Sequence, residues 1–204
     1  MRTANLNMKS GIKAFTLIEL LTVIAIIGIL AAIIIPAAGG VKTAANKAKT
    51  KAMFSQWSLA MDLFKSDYGY YPAIATSNNK INDASNFFAA LTGKKHDGTD
   101  ASDLRGNTRK LSFYAPAASD VILTGTTPKL TDAFGNTEFV VFTDTDGNGI
   151  ISGSELSQLS VTSIDGVIVP VTDATFTTVT GVRTGVMFYS AGKGLVENDI
   201  VTSW

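Results

Sequence analysis

Cysteine is absent from the 204 residues and histidine occurs once, as His96. No disulfide framework, thiolate metal site or cysteine nucleophile is available. Imidazole chemistry would rest on one side chain in the polar stretch "GKKHDGTD", where a lone histidine reads as solvated and is assigned no role. No serine elbow or phosphate-cradling loop is present, so catalysis would fall to carboxylates, and the one convincing carboxylate cluster reads better as a cation site. The chain is therefore read as a protein without enzymatic activity. Charged residues make up only 17% of it, and the zero net charge hides an uneven distribution. Residues 1–14 carry three cations and no acid, and no acid follows Glu19 until Asp62. Residues 111–204 carry ten acids against Lys129, Arg183 and Lys193. An acidic C-terminal part suits cations and argues against nucleic acid as a partner.

The longest apolar run stands near the start. Phe15 to Ile35 is a run of 21 residues broken by only Thr16, Glu19, Thr22 and Gly28. As a helix it spans about 30 Å, one hydrocarbon thickness. A secretory signal peptide would share the basic start (Arg2, Lys9, Lys13) and the small residues of "IPAAGG". The apolar core is too long for one, and such a core does not usually hold a carboxylate. Charge counting alone leaves the orientation open, because Lys42, Lys47, Lys49 and Lys51 follow the span as closely as the leader cations precede it. A carboxylate deep in a membrane helix costs roughly 2.5–3.5 kcal/mol, so Glu19 calls for a partner outside its own helix.

The stretch "KAFTLIELLTVIAIIGILAAIIIP" resembles the N-terminal signature of type IV prepilins and, with islands further on, of type II secretion pseudopilins. The resemblance implies a basic leader, 1–14, removed between Ala14 and Phe15 by a prepilin peptidase that also methylates the new Phe15 amine. Relatives usually carry Gly where Ala14 stands. It implies that Phe15, Glu19 and Pro36 serve subunit assembly, with Glu19 of one subunit meeting the Phe15 amine of the next. Loss of one member of such a buried pair costs about 3–5 kcal/mol.

Beyond Pro36 helical spacing continues, and Ala45, Ala48, Met53, Trp57, Ala60, Met61 and Phe64 read as one apolar stripe that docks on a sheet. Pro36 and "AAGG" should bend or loosen this helix. "SDYGYYPA" ends it with helix-stop chemistry and resembles the corresponding pseudopilin stretch; Tyr70 and Tyr71 read as packing residues. Residues 75–110 are polar around a short helix in "ASNFFAALTG". From Leu111 on, "LSFYAP", "TEFVVFT", "LSVTSIDGVIVPVT" and "ATFTTVTGVRTGVMFYS" have the β-branched and aromatic content of an antiparallel sheet.

"DTDGNGIISGSE", residues 144–155, fits the twelve-position calcium loop D-x-[DN]-x-[DN]-G-x5-E. Asp144, Asp146 and Asn148 take positions 1, 3 and 5, the Ile150 carbonyl position 7, Ser152 position 9 and Glu155 position 12, with Gly149 at the sharp turn. A tight Asp/Asn/Gly turn would share the composition, though not the full spacing. The preceding segment is strand-like, so the expected ion is Ca2+ in a rigidifying role rather than in a helix–loop–helix sensor.

Further along, "DAFGN" and the tail "YSAGKGLVENDIVTSW" also resemble pseudopilin motifs. In those relatives the tail holds a second calcium, which by resemblance points to Asp199 and Glu197; Lys193 stands where relatives often have Asp.

The expected architecture is therefore α+β, a type IV pilin-like fold. A long helix over 15–66, transmembrane and polymerising over about 15–36, packs on the antiparallel sheet of a globular domain, 67–204, with calcium-binding loops. The resemblance implies a single-pass inner-membrane protein with a periplasmic domain, polymerising with copies of itself and minor pseudopilins on an inner-membrane assembly platform. The filament would drive type II protein secretion. A type IV pilus subunit or minor pilin, for adhesion, motility or DNA uptake, is the alternative.

Overall fold

A computed structural model describes residues 15–76, 79–151, 160–170, 181–194 and 200–203, without the side chains of 36–38 and 170. The chain divides into two compact units, Met1–Lys42 and Thr43–Trp204. One helix, α1 (Leu17–Tyr68), belongs to both and continues through Pro36, Gly39 and Gly40 without a break in helical structure. It stops where Gly69 turns to a positive φ and donates its N–H to the Lys65 carbonyl.

In the second unit, four short strands form one antiparallel sheet in the order β1 (Lys80–Ile81), β4 (Phe139–Thr143), β7 (Val186–Ser190), β8 (Val201–Thr202). Two hairpins stand beside it: β2 (Val121–Thr124) with β3 (Thr127–Leu130), and β5 (Ser160–Thr162) with β6 (Ile168–Pro170). A second helix, α2 (Ser85–Thr92), buries Phe87, Phe88 and Leu91. The architecture is thus α+β, a long apolar N-terminal helix followed by antiparallel sheets.

The central strands explain their own sequences. Phe139–Phe142 and Val186–Ser190 are buried without alternation, because both faces of the sheet are covered. Phe139, Val141, Val186 and Phe188 pack with α1 and α2 around Trp57. Val140, Phe142, Met187 and Tyr189 pack instead with Ile151, Val161, Val169 and Ile200. Trp57 is fully buried, with the rings of Phe87, Phe139 and Phe188 at centroid distances of 5.1, 5.1 and 5.4 Å. Such edge-on pairs add to the burial energy of each ring.

Two expectations are corrected. Ala45 and Ala48 do not join the buried stripe; they are exposed, whereas Phe54 is buried beside Met53, Trp57, Ala60, Met61 and Phe64. At about 100° per residue, Ala48 lies half a turn away from Trp57. "LSFYAP" is not a strand. The Phe113 and Tyr114 N–H groups both donate to the Leu91 carbonyl, at 2.8 and 3.2 Å, so this segment closes the end of α2.

Candidate functional site

The N-terminal site is built on a helix start. Thr16 and Glu19 form a capping box: the Thr16 N–H and Oγ1–H both donate to Glu19 Oε2 at 2.8 Å, and the Glu19 N–H donates to Thr16 Oγ1 at 3.2 Å. The reciprocal bonds satisfy donors that the first helical turn leaves open. "T-L-I-E" is the S/T-x-x-E pattern, so this role was readable in the sequence: within one chain the Glu19 carboxylate has a partner three residues away. A Thr22 hydroxyl also donates to the Glu19 carbonyl at 2.9 Å. Phe15, immediately before this cap, is 76% exposed.

From Leu17 to Ile35 every large apolar side chain is exposed, and α1 is long and apolar enough to cross a bilayer. Pro36 lies within α1. Ala14 lies outside the described residues, as do Ser152, Glu155, Glu197 and Asp199 of the proposed metal sets.

The loop after β4 is described over 144–151, eight of the twelve positions of the calcium pattern. Asp144 is buried; its Oδ1 accepts the Gly147 and Asn148 N–H groups at 2.8 and 3.1 Å, and its Oδ2 accepts the Gly149 N–H at 2.9 Å. Burial opposes its charge, but these amides, Asp146 and the positive charge of Lys65 outweigh it and hold the carboxyl below the usual aspartate range. Asp146 accepts the Asn148 N–H and Nδ2–H, and Asn148 Oδ1 accepts the Ile150 N–H at 2.7 Å. Gly149 has φ 79°, a conformation that the sharp turn requires and glycine supplies at least cost.

The segment 182–185, just before β7, holds the described part of the loop at both ends. The Asp144 N–H donates to the Gly185 carbonyl at 2.9 Å, and Ile151 exchanges two bonds of 2.9 Å with Val182. Among the described residues no group of three or more acidic, histidine or cysteine side chains converges on one point. The donor set of Asp144, Asp146, Asn148 and the Ile150 carbonyl is nevertheless all oxygen, the chemistry that a hard divalent cation takes.

A cavity of about 360 Å³ lies between this loop and the end of α1, lined by Lys65, Gly69, Tyr70, Tyr71 and Asp144 among others. Tyr71 ties the two elements together. Its hydroxyl donates to Asp62 Oδ1 at 2.9 Å, Lys65 Nζ stands 4.3 Å from its ring centroid, and its hydroxyl occupies the space that a Cβ on Gly185 would need.

The two later islands meet in space. Buried Asp132 of "DAFGN" accepts from the Phe134 and Asn136 N–H groups, from Asn136 Nδ2 and from Ser190 Oγ. Asn136 Nδ2 also donates to the Gly192 carbonyl at 2.7 Å, and its Oδ1 accepts the Ile164 N–H at 2.9 Å. The motif residues thus form a clasp between β3, the end of β7 and the β5–β6 turn. Lys193, next in the tail turn, is exposed. His96 is exposed too.

Comparison with known proteins agrees with this geometry at the N-terminus. A family model described as the prokaryotic N-terminal methylation motif matches residues 9–35. "Type II secretion system core protein G" of Escherichia coli (strain K12) is 38% identical over 60 residues, covering 29% of this chain and 41% of the relative. The chain therefore spans less than half the length of that curated relative. No solved structure matches. The resemblance to type II secretion pseudopilins is supported by the motif and the relative together.

Proposed function

We propose that this chain is a pseudopilin, a membrane-anchored subunit that is cleaved between Ala14 and Phe15, methylated on the Phe15 amine and polymerised through α1 into a periplasmic filament for type II secretion. The observation that carries the reading is the pairing of a matched methylation motif with an exposed apolar segment of α1, residues 17–35, whose one carboxylate, Glu19, stands four residues from the new N-terminus. In a stack, the positive amine of Phe15 and the Glu19 carboxylate are opposite charges held out of water, each stabilising the other. Copies of the chain, minor pseudopilins, the prepilin peptidase and an inner-membrane platform are its partners in this reading.

The loop over 144–155 binds Ca2+ in the same proposal, with Asp144, Asp146, Asn148, Ile150, Ser152 and Glu155 as ligands, while Glu197 and Asp199 form a second candidate set. The ion would lock the β4 end of the sheet in a chain that has no disulfide to do so.

The test is Glu19→Ala in the full chain, expressed with the secretion machinery. Membrane insertion should persist while filaments are lost, and mass spectrometry of the wild-type filament should find a chain that lacks the 14 leader residues and carries one added methyl group. Normal filaments from Glu19→Ala, or an intact Met1 in the filament, would refute the reading.

A further inference from the structure

A cavity of about 250 Å³ lies between α2, the turn that follows it and the β2–β3 hairpin. Three basic side chains from two separate segments, Lys95, His96 and Arg105, line it together with one acid, Asp103. Ala89 and Pro128, both buried, supply an apolar wall. His96, isolated in the sequence, thus meets Arg105 across the hollow. A cleft lined mainly by one sign of charge concentrates ions of the other.

The acids near these cations are already engaged. Asp103 Oδ1 accepts the Arg105 N–H at 3.0 Å, and its Oδ2 pairs with Arg105 Nε at 3.1 Å. This grip orients the guanidinium through Nε and leaves the Nη1 and Nη2 donors for a ligand. Asp97 serves its own turn, where it accepts the Thr99 N–H and Oγ1–H at 2.9 and 2.6 Å. Among the described residues Lys95 forms no salt bridge. Its turn is closed by the Lys95 N–H donating to the Thr99 carbonyl at 2.8 Å, and the His96 ring stands edge-on to that of buried Phe88, 6.3 Å between centroids. Arg105 itself has φ 46°, a left-handed conformation uncommon outside glycine that persists where the surroundings enforce it. They do so here. Buried Asn107 donates through Nδ2 to the Ala90 and Leu111 carbonyls at 2.9 and 2.6 Å, and the Tyr70 hydroxyl fills the space that a Cβ on Gly106 would need.

We infer that this cavity binds a small molecule through a phosphate group, with Arg105 as the forked partner of two phosphate oxygens and Lys95 as the second cation. The inference is independent of the filament reading. The donor set decides the class. Besides the two cations, the His96 ring offers an N–H in either charge state, and the hydroxyls of Ser85, Ser102 and Thr126 stand in the same lining. A carboxylate brings two oxygens and one charge to these groups, whereas a phosphate monoester brings three terminal oxygens and close to two charges. The volume exceeds that of a bare phosphate, so a short organic part can rest on the Ala89–Pro128 wall.

A single histidine makes the test direct. The full chain, labelled at histidine and purified in detergent without a histidine tag, gives the imidazole NMR signal of His96 alone. Glycerol 3-phosphate, titrated at constant ionic strength, should move that signal saturably, and acetate at the same concentrations should not. Arg105→Gln should weaken the apparent affinity about tenfold. Lys95→Gln, which leaves the Asp103–Arg105 turn intact, should weaken it several-fold, and Lys51→Gln, outside the cavity, should leave it unchanged. Absence of a saturable shift, or an equal response to acetate, would overturn the phosphate site. So would wild-type affinity in both Arg105→Gln and Lys95→Gln. A shift with phosphatidylglycerol in the micelle but none with glycerol 3-phosphate would make the ligand a lipid headgroup and overturn the small-molecule assignment.

Discussion

The Asp132 carboxylate accepts a 2.8 Å hydrogen bond from Ser190 Oγ, across 58 residues of chain and with both side chains buried. Three further donors meet the same carboxylate. Among the described residues no cation forms a salt bridge with this buried acid, which is held by hydrogen-bond donors, an arrangement that is stable only while all of them are in place.

Asp132→Ala should therefore be among the most destabilising single changes in the globular part. It leaves the Ser190 hydroxyl and the Asn136 amide short of an acceptor inside the protein, a loss on the order of 3 kcal/mol, or roughly 6–12 °C of melting temperature for a unit of this size. Asp132→Asn should cost nearly as much, because an NH2 group cannot accept from Ser190 and Asn136 together. Ser190→Ala removes one donor and should cost about 1 kcal/mol. Thermal unfolding of the fragment from Thr43, followed by circular dichroism, gives the ranking. Equal melting of Asp132→Asn and wild type would show the clasp to be incidental.

The clasp also shows where sequence reading reached its limit. "DAFGN" was legible as a turn, because an Asp side chain that binds nearby amides is a local property. Its contact with the tail was not, since nothing in the spacing says that residues 132 and 190 adjoin. The long helix was legible from the length of its apolar run, and the two central strands from short runs rich in β-branched and aromatic residues between turn signals. The α1 stripe was legible only in part, since Ala45 and Ala48 lie about a third and a half of a turn from Trp57 and are exposed. The Thr16–Glu19 cap is a four-residue pattern that was fully present in the sequence. The last four positions of the calcium loop, 152–155, lie outside the described residues.

Calcium should raise the melting temperature of the fragment from Thr43, because an ion held only by the folded loop stabilises it by about 2.7 kcal/mol at a hundredfold excess over its dissociation constant. Asp144→Ala should abolish that response. It should also lower stability in chelator, since the same carboxylate holds the amides of Gly147, Asn148 and Gly149. A calcium titration followed by scanning calorimetry separates the two effects: the loop is a turn and nothing more if wild type shows no calcium-dependent shift.

Alkaline pH should weaken the junction between α1 and the loop through Tyr71. Burial, then the hydrogen bond and negative charge of Asp62, push its phenol above the ordinary tyrosine range. The unfolded chain loses this proton near pH 10, while the folded chain keeps it. The stabilisation is thus complete below about pH 10 and declines as pH rises toward the folded value. Tyr71→Phe should be less stable than wild type at pH 7, and the difference should shrink above pH 10. Melting curves collected from pH 7 to 11 measure this, and a difference that stays constant with pH would place the perturbation elsewhere.

Glu19 combines two roles that one substitution can separate. As the third helical residue it accepts from Thr16, and glutamine serves in a capping box as well as glutamate does. As a partner for a neighbour's amine it must be charged, and glutamine is not. Glu19→Gln should therefore keep the helix start, whereas Thr16→Val should weaken it by about 1 kcal/mol. If charge pairing drives assembly, Glu19→Gln should accumulate in the membrane without forming filaments, and Thr16→Val should still assemble with reduced yield. If capping is what assembly requires, the order reverses. Electron microscopy of sheared filaments from the two variants decides between a carboxylate that positions its own helix and one that the next subunit completes.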